Sequence, residues 1–366
     1  MARRKILIAG ASGLVGYAAI KHFTARPDAE VIVVSRRQPP ELHGARFIAL
    51  DLFDAGSCAT TAADLADVTH VVYAAVYEKP GLLDGWRERD HIETNARMLR
   101  NLMEPLLARN NALRHVVLLQ GTKAYGAHVR RFPIPAREGR TEARDIDNFY
   151  WLQEDYIRER QEGQPWSWTI FRPQVIFGES IGSAMNGIAA IGVYAALLRE
   201  ADQPLRFPGG PPIVLEATDS GLLARAIDWA GENAEAANEV FNITNGDVFV
   251  WENLWPAIAE TLGMEVGEPR RTSLAETVPP QAGTWDRIRR KYDLQAPPLN
   301  EFIGESLYFA DSNLGYYLKR GGHAPLVSTV KLRQAGFHEA MHTEEMMCGW
   351  FRTFQKHRLL PPATDN

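Results

Sequence analysis

The sequence predicts an α/β fold, a doubly wound parallel sheet with a smaller, mostly helical second lobe, and three observations carry that prediction. From Lys5 to about Arg172, apolar strand-sized runs alternate with helical patterns, the order that gives a parallel sheet covered on both faces. The first run, Ile6-Leu7-Ile8-Ala9, enters a glycine-rich turn from Gly10 to Gly16, and a helical pattern (Leu14, Val15, Ala18, Ala19, Phe23) follows it. A second run, Val31-Ile32-Val33-Val34, comes where a β-α-β unit requires its next strand.

The turn reads Gly10-Ala11-Ser12-Gly13-Leu14-Val15-Gly16. Gly10 permits a tight turn, Gly13 lets backbone approach a pyrophosphate, and Gly16 lets helix and strand pack closely, while the helix N-terminus offers N–H groups to the phosphates. The spacing is a variant of the commoner dinucleotide fingerprint. Glycine triplets also mark plain turns; here the strand before and the helix after select the Rossmann-type reading.

The later strands follow in order: Phe47–Leu50, His70-Val71-Val72-Tyr73-Ala74, Val116-Val117-Leu118-Leu119 and Trp168-Thr169-Ile170-Phe171. Their unbroken apolar character suits strands buried on both faces. Helical patterns run from His91 to Leu107 and from Tyr150 to Gln161. Beyond Pro173 the alternation fails, with a helix over Met185–Leu198 and a loop or short strand over Pro204–Pro212. The chain returns to the sheet with Val214–Thr218, a helix from Asp219 to Trp229, and Val240–Ile243 closed by an Asn245-Gly246 turn. From Trp251 the patterns are mainly helical, with breaks at Pro279-Pro280 and Pro297-Pro298. The expected division is a dinucleotide-binding domain of residues 1–178 and 212–250, and a discontinuous substrate-binding lobe of residues 179–211 and 251–366 over the carboxyl edge of the sheet.

Composition narrows the function. At 366 residues, 45% hydrophobic and 23% charged, the chain can bury a large core. A net charge of -5 without any Lys/Arg run speaks against nucleic acid as a partner. Two distant cysteines, Cys58 and Cys348, indicate no disulfide framework and fit a reducing cytoplasm. The start, Met1-Ala2-Arg3-Arg4-Lys5, resembles a secretory signal, but three glycines and a serine interrupt the segment that follows. The longest apolar-rich run, Ile188–Leu198, is well short of the ~20 residues a bilayer demands. The expected partner is a small molecule, with a homodimer left open.

The end of the second strand chooses between cofactors. An NAD site usually places an acid there, but this chain reads Ser35-Arg36-Arg37. Two guanidiniums would attract a 2′-phosphate, which favours NADPH; the alternative is a solvated turn with two exposed arginines. Asp51, ending the third strand, either meets the adenine or caps a turn.

The chemistry rests on a broken pattern. Short-chain dehydrogenases carry a tyrosine, a lysine four residues later, and a serine or threonine ending an earlier strand. Asn148-Phe149-Tyr150 looks like the tyrosine segment, but the fourth position onward is Glu154. A carboxylate facing Tyr150 would oppose the negative charge that the reaction builds up, so Glu154 must point away or pair elsewhere. In Gln120-Gly121-Thr122-Lys123-Ala124-Tyr125-Gly126, Gly121 stands where the serine should be. Lys123 follows the carboxyl end of the fifth strand, from where it could reach the Tyr150 hydroxyl by another direction; a cation there would lower the phenol's pKa and stabilise an oxyanion. Separately, a loop lysine and a half-buried helix aromatic would be unremarkable; together at these strand ends they define a site.

At these residues the sequence resembles the progesterone 5β-reductase and iridoid synthase group of extended short-chain dehydrogenases/reductases. The resemblance runs from about Lys5 to Pro361. Its carriers are the glycine turn, Ser35-Arg36-Arg37, Gly121-Thr122-Lys123, Asn148-Phe149-Tyr150 with Glu154-Asp155, Arg172-Pro173 with Ile176-Phe177-Gly178, and Phe241 to Phe249. It implies catalytic roles for Tyr150 and Lys123, and cofactor contacts from the turn, from Ser35 to Arg37, from Asp51, Leu52, Ala74 and Gln120, and from Tyr150, Pro173, Val175 and Ile176. It also implies substrate contacts from Tyr150, Trp151, Tyr308 and Phe309; for Tyr308-Phe309 the alternative is ordinary core packing. The implied reaction is NADPH-dependent 1,4-reduction of an enone or enal, Δ4-3-ketosteroids included. An enolate needs oxyanion stabilisation more than a proton relay, which suits the broken pattern. Departures fall at Trp151, Ala124 and Gln174, where the family often has tyrosine, histidine and glycine, so pocket size and polarity differ.

One motif is a decoy. His338-Glu339-Ala340-Met341-His342 matches a zinc-protease pattern. Gly336 just before it, and Thr343 as a fresh N-cap just after, keep the two histidines off a shared helix face, so no metal is expected. Competing readings are a carbonyl (1,2-) reductase, a sugar-nucleotide epimerase, which the missing Tyr-x-x-x-Lys pair opposes, and a non-catalytic NADPH sensor.

Overall fold

The computed structural model describes residues 3–79 and 85–363. Met1 and Ala2, which open the stretch weighed as a secretory signal, lie outside them, as do the last three residues of the second lobe. The strands are β1 (Arg4–Ala9), β2 (Ala29–Ser35), β3 (Arg46–Ala49), β4 (His70–Tyr73), β5 (His115–Leu119), β6 (Ser167–Pro173), β7 (Val175–Phe177), β8 (Leu205–Arg206), β9 (Leu215–Asp219), β10 (Glu239–Ile243), β11 (Val248–Phe249) and β12 (Val266–Gly267). Seven form one sheet in the order β10-β6-β5-β4-β1-β2-β3, and every pairing in it is parallel.

Period-two alternation builds the layers. Leu7, Ala9, Ile32 and Val34 belong to one apolar cluster, and Ile6, Ile8, Val31 and Val33 to another on the opposite face. Each fully buried aliphatic side chain contributes about 1.5–3 kcal/mol. The edge strand β3 departs from that expectation: Phe47 and Ile48 are half-buried and Arg46 and Ala49 exposed, because it has a neighbour on one side alone.

The first helices are α1 (Leu14–Thr24), α2 (Ala55–Thr61), α3 (Arg89–Leu107), α4 (Phe149–Gln161), α5 (Gly187–Glu200) and α6 (Ser220–Glu232). They are followed by α7 (Trp251–Thr261), α8 (Leu274–Thr277), α9 (Ala282–Lys291), α10 (Leu299–Ile303), α11 (Ser306–Asn313), α12 (Val330–Gln334) and α13 (Thr343–Lys356). A separate large cluster joins Ile188, Trp255, Trp285, Phe302 and Phe351 of α5, α7, α9, α10 and α13. Within the stretch assigned from sequence to this second lobe, Leu332 and Phe337 instead join the cluster on the main sheet. Trp229 and Phe337 lie 5.7 Å apart, and α12 is anchored by Lys331, whose ammonium meets Glu239 and the Val240 carbonyl. No described helix is long and apolar enough to cross a membrane.

All carboxyl ends of the main sheet share one rim. The chain runs from β1 outward to β3 and then returns to place β4 on the other side of β1, so the winding reverses between β1 and β4. At such switch points α/β sheets bind ligands.

Candidate active site

Gly10, just past β1, has φ +86, and a Cβ there would sit 2.6 Å from the Ala74 carbonyl carbon. Gly16 is held as tightly, with a Cβ only 2.2 Å from the Gly10 oxygen. Both glycines are therefore required by the turn itself. Gly13 is the N-cap of α1, supplies no side-chain cap, and no acid occupies the first helical turn. The first amides of α1 are thus left for an incoming anion, and Gly13, Leu14 and Val15 line a cavity of about 1040 Å³ at the switch point. These features fit a dinucleotide pyrophosphate.

The same cavity is lined by Ala74, Gln120, Lys123, Tyr150, Pro173, Val175, Ile176 and Phe309, bringing together about half of the expected site, whereas Ser35, Arg36, Arg37, Asp51 and Leu52 do not line it. Gly10, Ser12 and Gly16 complete the turn without lining the cavity. At the end of β2 the Ser35 hydroxyl donates to the Arg37 carbonyl, and Arg36 lies 5.7 Å from the Phe53 ring centroid. Among the described residues neither Arg36 nor Arg37 has a carboxylate partner. Asp51 accepts the Phe53 N–H at 3.0 Å, so its carboxylate shapes a turn. The Leu52 side chain is buried in the core.

Tyr150 is set by its helix start. The Asn148 side chain accepts the Tyr150 N–H at 3.1 Å, capping α4. Gln120, at the end of β5, donates to the Tyr150 carbonyl at 3.3 Å and to Glu154 at 3.0 Å. Glu154 turns away from the cavity as expected. Arg172 approaches it at 3.4 Å, and Arg144 and Arg158 at 2.9 and 3.0 Å. Arg172 also meets Glu142 at 2.8 Å and donates to the Gln120 side-chain oxygen, Oε1, at 2.7 Å. Gly121 stands against the phenol: a Cβ there would be 3.4 Å from the Tyr150 hydroxyl.

Lys123 lies in the short turn Thr122–Tyr125 after β5. Its ammonium sits 3.7 Å from the Trp86 ring centroid, 5.9 Å from that of Phe149 and 5.8 Å from that of Tyr150, a cation–π enclosure. Burial pushes its pKa down to about 8, against the opposing charge of Glu78. Lys123 faces the Tyr150 ring, and no hydrogen bond joins it to the phenol. The expected lowering of the Tyr150 pKa is also absent: burial first, then the charge of Glu78, raise it, with Arg172 opposing. Burial thus favours the protonated phenol, whose O–H is available to an acceptor in the cavity.

Two expected substrate contacts, Trp151 and Tyr308, do not line the cavity, both for the same reason. Successive helical side chains diverge by about 100°, whereas positions three or four apart share a face. Tyr150 and Gln153 line the cavity, but Trp151 does not; its indole donates to the Ile146 carbonyl at 3.2 Å. On α11, Phe309, Ser312 and Asn313 line the cavity, while Tyr308 is 44% exposed. The sequence reading missed Glu78 and Trp86, whose side chains meet at 2.8 Å. Their signal was position, since the chain leaves the carboxyl end of β4 there. Of the decoy, His338 to His342 is not helical, Glu339 pairs with Arg225 at 2.5 Å, and His342, not Thr343, is the N-cap of α13.

The sequence profile of the NAD dependent epimerase/dehydratase family matches residues 6–244. The fold is shared with solved structures of a UDP-N-acetylglucosamine 4-epimerase from Methanobrevibacter ruminantium (TM-score 0.66, 14% identity, 97% of this chain and 99% of that one). It is shared as well with a UDP-glucose 4-epimerase from Thermotoga maritima (TM-score 0.66, 18% identity, 96% and 99%). An (S)-8-oxocitronellyl enol synthase of Camptotheca acuminata is 31% identical, covering 97% of this chain and 93% of the relative. A 3-oxo-Delta(4,5)-steroid 5-beta-reductase of Arabidopsis thaliana is 30% identical, covering 97% and 92%. The chain belongs to the NAD dependent epimerase/dehydratase family and is a nicotinamide-dependent oxidoreductase. Within that family its place is with the progesterone 5β-reductase and iridoid synthase-like short-chain dehydrogenases/reductases.

Proposed function

We propose that the protein is an NADPH-dependent reductase that carries out 1,4-reduction of an α,β-unsaturated carbonyl compound. The observation carrying this reading is that Tyr150 and Lys123 line one cavity with the uncapped glycine turn, while Glu154 is withdrawn into arginines. Support for the 2′-phosphate comes from Arg36 and Arg37, which have no carboxylate partner among the described residues. The free, buried state of Cys58 and Cys348 is compatible with a cytoplasmic protein. A homodimer remains part of the reading, to be tested by light scattering.

When bound, the reduced nicotinamide supplies hydride to the β-carbon of the substrate. Gly13, Leu14 and Val15 would hold the pyrophosphate, and Arg36 and Arg37 the 2′-phosphate. Tyr150 donates a hydrogen bond to the carbonyl oxygen, and its raised pKa keeps the proton on the phenol. Lys123 adds positive potential as negative charge moves to that oxygen. The enolate then takes a proton from solvent water at its α-carbon, leaving the saturated carbonyl compound, hydroxide and the oxidised nicotinamide.

The test follows NADPH and NADH consumption with small enones, enals and Δ4-3-ketosteroids, and identifies the products. A saturated ketone or aldehyde supports the reading; an allylic alcohol assigns a carbonyl reductase. Binding of NADPH without turnover of any substrate assigns a sensor. Unchanged rates in Tyr150→Phe and Lys123→Met would remove both residues from the mechanism.

A further inference from the structure

We infer that the substrate carries an anionic group, a carboxylate or a phosphate, held by Arg131, Lys319 and Arg320 at the rim of the cavity away from the glycine turn. The inference rests on the reductase reading above and adds a substrate class to it.

The lining of the cavity is cationic in a chain that is not. The protein has 40 basic against 45 acidic side chains, yet Arg87, Lys123, Arg130, Arg131, Lys319 and Arg320 line the cavity with Glu78 as the sole carboxylate among the described residues. Three of these cations are already engaged. Arg130 makes a two-pronged pair with Asp145 at 2.6 and 2.7 Å, Arg87 donates to the His128 carbonyl, and Lys123 faces the reacting end. Arg131, Lys319 and Arg320 are exposed and have no carboxylate partner among the described residues.

The three come from two loops that the fold stitches together. His323 bonds the Phe132 carbonyl at 2.7 Å, and their rings meet edge to face at 6.1 Å. Ala136 donates to Leu326 at 2.9 Å and accepts from Ser328 at 2.8 Å, and Gln174 donates to the Pro325 carbonyl. Unpaired cations on converging loops repel one another, a cost that an incoming anion relieves. His128, also lining the cavity, is pushed down to about 4 by burial, with Lys123 and Arg87 adding to the effect.

The cofactor does not account for these charges. Its phosphates are provided for by the turn at Gly13–Val15 and by Arg36 and Arg37 after β2, whereas the rim cations follow β5 and α11.

The experiment uses three enones on one skeleton, with tails ending in a carboxylate, its methyl ester, or a phosphate. With NADPH, kcat/KM for at least one anion is expected to exceed that for the ester about ten- to a hundredfold, falling with added salt. The better anion identifies the source. In Lys319→Ala/Arg320→Ala, that preference collapses through the KM of the anionic substrate. Equal turnover of ester and anions overturns the inference alone, as does a variant that raises the KM for NADPH in its place. Turnover of none of the three overturns the reductase reading and this inference with it.

Discussion

Two cations at the ends of the neighbouring strands β5 and β6, Lys123 and Arg172, are treated in opposite ways. Arg172, at the end of β6, is 1% exposed and is met by Glu142, Glu154 and Gln120. Lys123, after β5, faces a cavity with aromatic rings about its ammonium and has no ion pair among the described residues. A charge surrounded by counter-charges is bound to the architecture, because its field is spent on its neighbours. A charge enclosed by quadrupoles keeps its field for whatever enters the cavity. The arginine therefore ties α4 to the sheet, and on the proposed mechanism the lysine would act on the substrate's oxygen.

The largest expected effect breaks the structural member of the pair. Arg172→Met leaves Glu154 and Glu142 without their buried partner, and should cost about 3–5 kcal/mol in urea unfolding. The counterpart, Lys123→Met, should lower kcat by roughly 10²–10³-fold, with the unfolding midpoint unchanged or raised. A Lys123→Met protein that loses stability while keeping kcat would reverse the assignment.

The pH dependence sharpens the contrast. With its pKa pushed from 10.5 down to about 8, Lys123 is cationic below that value and neutral above it. Turnover should decline as pH rises through about 8, and the decline should be absent from the residual rate of Lys123→Met. Stability moves the other way. The folded state binds fewer protons than the unfolded state between about 8 and 10.5, so wild-type stability should rise with pH over that window relative to Lys123→Met. Paired denaturation series at several pH values would expose an opposite slope.

The smallest effect concerns the missing serine. Gly121 has φ -177, an extended backbone open to any residue, and its Cβ would stand 3.4 Å from the Tyr150 hydroxyl. Gly121→Ser should keep the fold and change kcat by less than about tenfold, since one neutral hydrogen bond is worth about 1 kcal/mol. A larger loss would mean that the space beside the phenol is itself required.

The fold was legible because apolar runs such as Ile6–Ala9 and Val31–Val34 are buried on both faces and leave no competing reading. The glycine turn was legible because its geometry admits no other residue at Gly10 and Gly16. Trp151 and Tyr308 fall outside the cavity lining because adjacency in sequence is not adjacency in a pocket, where helical rotation separates neighbours. Glu78 and Trp86 carry no local pattern; a loop supplies them, and only the strand end before it indicates a ligand. Lys123 was placed in the site, but its orientation toward the rings depends on Trp86, a contact between segments 37 positions apart that no spacing encodes.

Phe337 and α12 bear on how the protein can be taken apart. Cutting the chain after residue 250 keeps all seven strands of the main sheet, yet strips Leu332 and Phe337 from the patch around Trp229 and Phe241. Such a fragment would display aromatic surface and should self-associate. A nucleotide-binding module isolated from this protein would have to carry the 330–337 segment as a graft, and limited proteolysis of the intact chain should release no stable amino-terminal piece.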